Sequence, residues 1–595
     1  MIKVRGRLLG LTCTLLVTFV LCVTSEAQTE AIIFRAFEKK DSPLKWGDFR
    51  KRQENEAGKK GDNDALLDPS DLTTLLNSKG ETYGLYSLDG LPAVDWPANK
   101  ANGKVTLILA WPTAAGYSNL LLDLRDPSVE GNYPSSTIPI YKDEGEHRYS
   151  VIFNLLAAQR TLEALDAAIA RRADPPYSLP YAPSPAFSTA YDAARRSLRE
   201  ALIPDLKVKP KEVDSLRGRL GQESFEAAAR ATLIMLEEYG VQFARARRSS
   251  LMPQWGVTFE GEIQQPGGAP ARVNGETFRS VSRLVDCSRD DGWVRLIFDK
   301  SKSPDYYKPA IKWAHDNGLK VLGELLDSYS MCCTSKAQWE THVQNYVNAL
   351  SHGGGAPEEE VDEWEVGNEV NGEWLLVPQD KAKQSGERCD SCTGYAARAD
   401  YIAYAADYVK KRSGKRTLLT LYWQVAEDKP SSSMFNWVRD VLETSSAEGG
   451  TPVKDLIDDV GISLYPDKTP MGLAFDRVFT TLHERYFGRD GQRIMVTELG
   501  YWPADTTEKD YEHIWRWGDA GLKQKDERVR QGVRADVAKL YQSAALGYPF
   551  SGGGAYWWYY LQEAAPDARY ADNEVWRALH LVHSSVAGAA GLCTP

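Results

Sequence analysis

From about Trp255 onward, short apolar runs rich in β-formers alternate with longer stretches whose apolar residues recur at helical spacing. Eight runs read as strands: Gly256–Phe259, Val294–Phe298, Val321–Leu325, Glu363–Val366, Leu418–Leu421, Val460–Ser463, Ile494–Thr497 and Ala555–Trp558. The helical pattern falls at Asp305–Asn317, Ala396–Lys411, Phe435–Glu443, Gly472–Tyr486 and Val529–Leu546. Strand and helix in strict alternation predict repeated βα units, and eight of them predict a closed (β/α)8 barrel with long loops on top.

The pattern before the barrel is different. Tyr83–Tyr86, Val105–Trp111, Leu120–Leu124, Ile138–Tyr141 and Tyr149–Phe153 are short strands parted by Gly, Pro and Asp turns, which predicts a small β-sandwich over 28–155. Ala-rich helical sequence follows at Leu155–Arg172 and Ser224–Tyr239, broken by the proline-rich Pro175–Pro185, and reads as a helical connector over 156–250 ahead of a barrel at 251–595. Lys39–Asp68 is charged and poor in apolar residues, as a surface segment would be.

Residues 1–27 read as a signal peptide: Lys3, Arg5 and Arg7, an apolar run from Leu8 to Val23, then a small-residue cleavage pattern ending at Ala27. An uncleaved anchor is the competing reading of the same run. Export to the periplasm or the exterior is therefore expected. The net charge of −11 becomes about −13 without that segment, which argues against nucleic acid and anionic membrane as partners and suits a neutral polymer. Six cysteines would remain, Cys287, Cys332, Cys333, Cys389, Cys392 and Cys593, an even number that favours disulfides in an exported chain. No histidine pair accompanies the acids at a metal-ligand spacing, so neither metal nor cofactor is expected.

Two acids stand out against this frame. Glu369, in WEVGNEVNGEW, follows the fourth strand, and Glu498, in RIMVTELGYW, closes the seventh, so a barrel would bring both carboxyls to the end where such folds keep their chemistry. Paired carboxyls about 5 to 5.5 Å apart are what retaining glycoside hydrolysis needs, one as nucleophile and one as acid, then base. Glu324 and Glu365 also lie on strands, but alternation turns Glu365 into the barrel as a structural acid, and Glu324 reads as a buried acid paired with a neighbouring strand.

Asn368-Glu369 on strand four with Glu498 on strand seven resembles the clan A glycoside hydrolases. The phrases VGNEVNG, DVGISLYP, MVTELGYWP and YWW look similar above all to the endo-β-1,4-galactanases and to cellulase-like families. The resemblance covers the last 340 residues or so and implies roles residue by residue. Glu498 would be the nucleophile and Glu369 the acid/base. Arg295 would sit beside the nucleophile, Tyr465 would donate to it, and Asn368 would bind the sugar 2-OH. Either Trp557 or Trp558 would form the platform under the reacting sugar, since alternation lets only one face inward. Asp327, Trp374 and Trp502 would add sugar contacts from strand or loop ends. The implied activity is cofactor-free cleavage of β-glycosidic bonds with retention, in a polysaccharide or oligosaccharide. A catalytically inactive carbohydrate-binding protein on the same barrel is the alternative.

Overall fold

The computed structural model describes residues 30–37, 42–53, 64–68, 73–74, 85–96, 104–113, 116–125, 132–133, 140–143, 146–203, 209, 212–251, 253–285, 292–332, 334–351, 356–372, 395–425, 433–443, 445–466, 471–501, 527–559 and 573–587. Residues 1–27, expected as a signal peptide, lie outside them, as do Cys287, Cys333, Cys389, Cys392 and Cys593.

Ahead of the barrel stand two sheets. In the first, β1 (Glu30–Arg35) lies between β5 (Leu91–Trp96) and β9 (Glu146–Ile152), with β4 (Tyr86–Leu88) and β8 (Ile140–Asp143) at the edges. The second runs β3 (Thr73–Thr74), β2 (Asp64–Asp68), β6 (Lys104–Thr113) and β7 (Gly116–Arg125). The strict alternation of β6 and β7 buries both faces of that hairpin. Leu107, Leu109, Trp111, Leu120, Leu122 and Leu124 join a core with Ile32, Phe34 and Val151 of the first sheet. Ile108 and Leu121 point the other way, into the main cluster of the barrel. Helical residues Phe49, Phe153, Leu156 and Phe225 fill the first of these cores too, so it draws on helices as well as on both sheets.

Phe49 belongs to α1 (Trp46–Gln53), which corrects the reading of Lys39–Asp68 as mere surface: its one buried aromatic anchors a helix, and β2 follows. Three longer helices lead to the barrel, α2 (Phe153–Ala173), α3 (Pro185–Ala201) and α4 (Val213–Leu251). The proline-rich break hides the start of α3, where the Ser184 hydroxyl accepts from the Phe187 N–H and Pro185 supplies a preset φ in the first turn.

The last turn of α2 clamps the barrel. Arg172 Nη2 lies 2.8 Å from Asp476 Oδ1, both side chains almost fully buried, and Arg171 pairs with the same carboxyl. Tyr548 donates to it as well, at 3.1 Å. Asp476 sits on the helix Leu473–Thr481, and the preceding Gly472 lets β7 approach: a Cβ there would meet the Asn119 carbonyl oxygen at 2.5 Å.

The barrel is closed and parallel, in the order β10 (Gln254–Phe259), β11 (Gly292–Ile297), β12 (Lys320–Glu324), β13 (Glu363–Gly367), β14 (Arg416–Tyr422), β15 (Asp459–Leu464), β16 (Arg493–Leu499) and β17 (Ser551–Trp558). Each overlaps the run expected from the sequence. Helices unforeseen there flank it at Gly275–Leu284, Lys336–Ala349 and Glu574–Ala587; capping boxes at Asn274/Thr277 and Ser335/Gln338 begin the first two. Among the described residues, no helix is long and apolar enough to cross a membrane.

Inside, the side chains form layers, as barrels of this kind do. The floor is ionic: Arg416 and Arg493 grip Asp459 at 2.8 and 2.6 Å, beside Glu363 and Gln254. Trp293, Leu322, Leu418, Met495 and Tyr556 form an apolar layer. Above these come Arg295, Glu324, Glu365, Thr420 and Thr497, all buried, and then the open end.

Candidate active site

Each strand delivers its acid through a departure from regular pairing. On β16 the register to β15 skips a residue, so that Val496 faces Ile462 and Glu498 faces Ser463. Regular alternation would send Thr497 and Glu498 to opposite faces; a bulge aims both inward. Gly461 makes the room, because a Cβ there would lie 2.3 Å from the Thr497 side chain. On β13 the register shifts between Glu365 and Gly367, and Glu369 then takes φ 43°, a left-handed conformation that a non-glycine residue rarely adopts. Asn371 holds that turn against β14. Its Oδ1 accepts from the Tyr422 N–H at 2.7 Å, and its Nδ2 donates to the Tyr422 carbonyl at 3.0 Å.

The two acids meet on one hydroxyl. Ser463 Oγ is 2.6 Å from Glu369 Oε1 and 3.3 Å from Glu498 Oε2, so those carboxylate oxygens are no farther apart than the two contacts laid end to end. Sequence reasoning missed Ser463, since a serine inside an apolar strand carries no signal of its own. Tyr465 OH donates to Glu498 Oε2 at 2.7 Å and itself accepts from Trp558 Nε1 at 2.9 Å. Arg295 Nη1 stands 2.9 Å from Glu498 Oε1.

Arg295 also pairs with two structural acids, Glu365 at 2.7 Å and Glu324 at 2.7 Å, with no exposure on any of the three side chains. One guanidinium cannot neutralise three buried carboxylates. Burial raises Glu324 well above the ordinary carboxylate range, and the neighbouring acids Glu365, Asp327 and Glu498 push the same way against Arg295. Glu365 is raised too, by burial, despite its bonds from Arg295 and Thr420. Glu498 differs in what surrounds it: the Arg295 guanidinium forms an ion pair with one of its oxygens and the Tyr465 hydroxyl donates to the other.

Glu369 is in the opposite situation. It is pushed up to about 8, first by burial and then by the charge of Glu498, with Asp327 adding to the push; the Ser463 bond and Arg295 act against it. The pair thus combines a carboxyl that holds its proton at neutral pH with a second acid that stands between a guanidinium and a phenol.

The other expected site residues fall as follows. Asn368 is buried next to Glu369, and its Oδ1 has no hydrogen-bond partner among the described residues. Asp327 lies just beyond β12, near enough for its charge to act on Glu324 and Glu369. Trp558 is the inward tryptophan, partly exposed beside Tyr465, whereas Trp557 is fully buried in the main apolar cluster around the barrel. Trp374 and Trp502 lie outside the described residues. Among the described residues, no three His, Cys, Asp or Glu side chains group as metal ligands.

No family model matches this sequence, and no curated protein matches it. Among solved structures the likenesses are distant. The GH113 β-mannanase from Alicyclobacillus acidocaldarius is 13% identical over 57% of this chain and 100% of its own, with a TM-score of 0.33. A family 1 β-glucosidase from Thermotoga maritima is 12% identical over 51% of this chain and 87% of its own, at 0.32. A GH2 β-galacturonidase from Eisenbergiella tayi is 12% identical over 56% of this chain and 50% of its own, at 0.32. Likeness this distant carries nothing about chemistry, which rests on the side chains themselves.

Proposed function

We propose that this protein is a retaining glycoside hydrolase acting on β-linked glycans. Glu498 attacks the anomeric carbon while Glu369 gives its proton to the leaving oxygen, and Glu369 then takes a proton from the water that releases the glycosyl-enzyme. The observation that carries the reading is the single serine hydroxyl within reach of both carboxyls, one raised to about 8 and one bound by Arg295 and Tyr465. That spacing suits direct attack; an inverting pair needs about 6.5 to 9.5 Å to admit a water. The unpartnered Asn368 Oδ1 supports a role in accepting from a sugar hydroxyl, and Trp558 supports a stacking face at the barrel mouth.

The resemblance of the sequence motifs favours endo-acting galactanases and cellulases as the kind of enzyme, and the N-terminal segment favours export. The test is a panel of aryl β-glycosides and β-linked polysaccharides assayed with the parent, Glu498→Gln and Glu369→Gln. Each variant should lose several orders of magnitude in kcat/KM. Binding of oligosaccharides without any turnover by the parent would instead support an inactive carbohydrate-binding barrel.

A further inference from the structure

Ser463 has no place in the two-carboxyl scheme, yet it is fully buried and touches both of its members. A serine hydroxyl has one hydrogen and can donate to one carboxylate at a time. If both acids were ionised, one of its two contacts would set lone pair against lone pair. Both contacts are hydrogen bonds only when one of the acids carries a proton and gives it toward Oγ; burial and the charge of Glu498 favour the proton on Glu369, which leaves the serine hydrogen for Glu498.

We infer that Ser463 is a positioning residue whose hydroxyl turns between the two acids during the cycle, and the inference rests on the glycosidase reading above. In the resting enzyme Glu369 donates to Oγ and Oγ–H points to Glu498. When Glu369 has passed its proton to the leaving oxygen and Glu498 has become an ester, the remaining charge is on Glu369, and Oγ–H swings to it. No proton leaves the serine; the proton from water returns to Glu369 as the ester is cleaved. Ser463 can do this because the β16 bulge sets Glu498 directly opposite it across the β15–β16 ladder, while Tyr465 and Arg295 keep Glu498 fixed on its other sides.

The two contacts are unequal, and the inequality sets the sign of the test. When Glu369 is ionised, the serine hydrogen can turn from the 3.3 Å contact to the 2.6 Å one and make a short bond to a charged oxygen, the stronger kind, so Ser463 favours the ionised form of Glu369 more than it favours the proton on it. The experiment is the pH profile of kcat/KM for Ser463→Ala and Ser463→Thr. The basic limb, which reports the acid of the free enzyme, should move up by about one pH unit in Ser463→Ala, and Ser463→Thr should return it to the parent position. An Ala profile that overlays the parent after scaling, or shifts downward, would overturn the inference. Should Ser463→Ala not fold, Ser463→Cys, near in size and a weak donor, reads the same limb with the same expected direction. Failure of the glycosidase reading is separable: it shows as full activity in Glu498→Gln, whatever the serine variants do.

Discussion

Arg295 binds Glu498 and Glu365 at the same time, at 2.9 and 2.7 Å, and so ties the proposed nucleophile to the structural acids beneath it. The same cation pairs with Glu324 at 2.7 Å and acts against the burial and the neighbouring acids that raise that carboxyl.

Replacing Arg295 should therefore damage stability and catalysis together. Arg295→Leu leaves three buried carboxyls without their cation and should cost about 3 to 5 kcal/mol of stability. Arg295→Lys keeps a charge but cannot span three acids; it should fold and still lose most of its kcat/KM. Thermal unfolding and steady-state kinetics on the same preparations check both.

Tyr465 is a cleaner lever on the nucleophile alone. Tyr465→Phe removes the hydroxyl that donates to Glu498 and accepts from Trp558, with little change in volume. A single lost donor of this kind costs about 10² in kcat. KM should stay within a few-fold, since the ring remains beside the platform.

Glu369 should be a liability for stability at the pH where it is useful. Its ordinary value is 4.5 and burial beside Glu498 raises it to about 8, so between these values the folded state holds a proton that the unfolded state has released. Stability must then fall as pH rises through that window. Glu369→Gln lacks the titration, so its melting temperature relative to the parent should climb from pH 4 to pH 8. A constant difference across that range would contradict the raised value.

The N-terminal region should prove inseparable from the barrel. Asp476→Ala strands Arg172 in a buried place and removes the acceptor of Tyr548, and should cost about 3 to 5 kcal/mol. Activity per folded molecule should be unchanged, because the clamp is on an outer helix.

What could be read from the residues divides along physical lines. The barrel was legible because each strand is a short apolar run followed by a helical pattern, and Glu369 and Glu498 were legible as acids at the ends of two such runs, whereas Arg295 and Tyr465 were expected only from the resemblance of the motifs around them. The β16 bulge was not, since alternation across Thr497-Glu498 gives no hint that both turn inward. Ser463 and Asn371 act through hydrogen bonds to residues far off in the sequence, and no local pattern announces such partners. The inside placement of Glu365 followed from alternation and Glu324 was expected as a buried acid, but their joint dependence on Arg295 needed the closed barrel. The capping serine of α3 was obscured by the prolines around it, although Ser184-Pro185 is a start signal by itself.

The most direct test is the configuration of the first product released, followed by proton NMR on whichever β-glycoside the parent cleaves. Two carboxyls bridged by one serine predict that the β-anomer appears first and mutarotates afterward. An α-anomer appearing first would mean that water, not Glu498, makes the attack, and would contradict the mechanism.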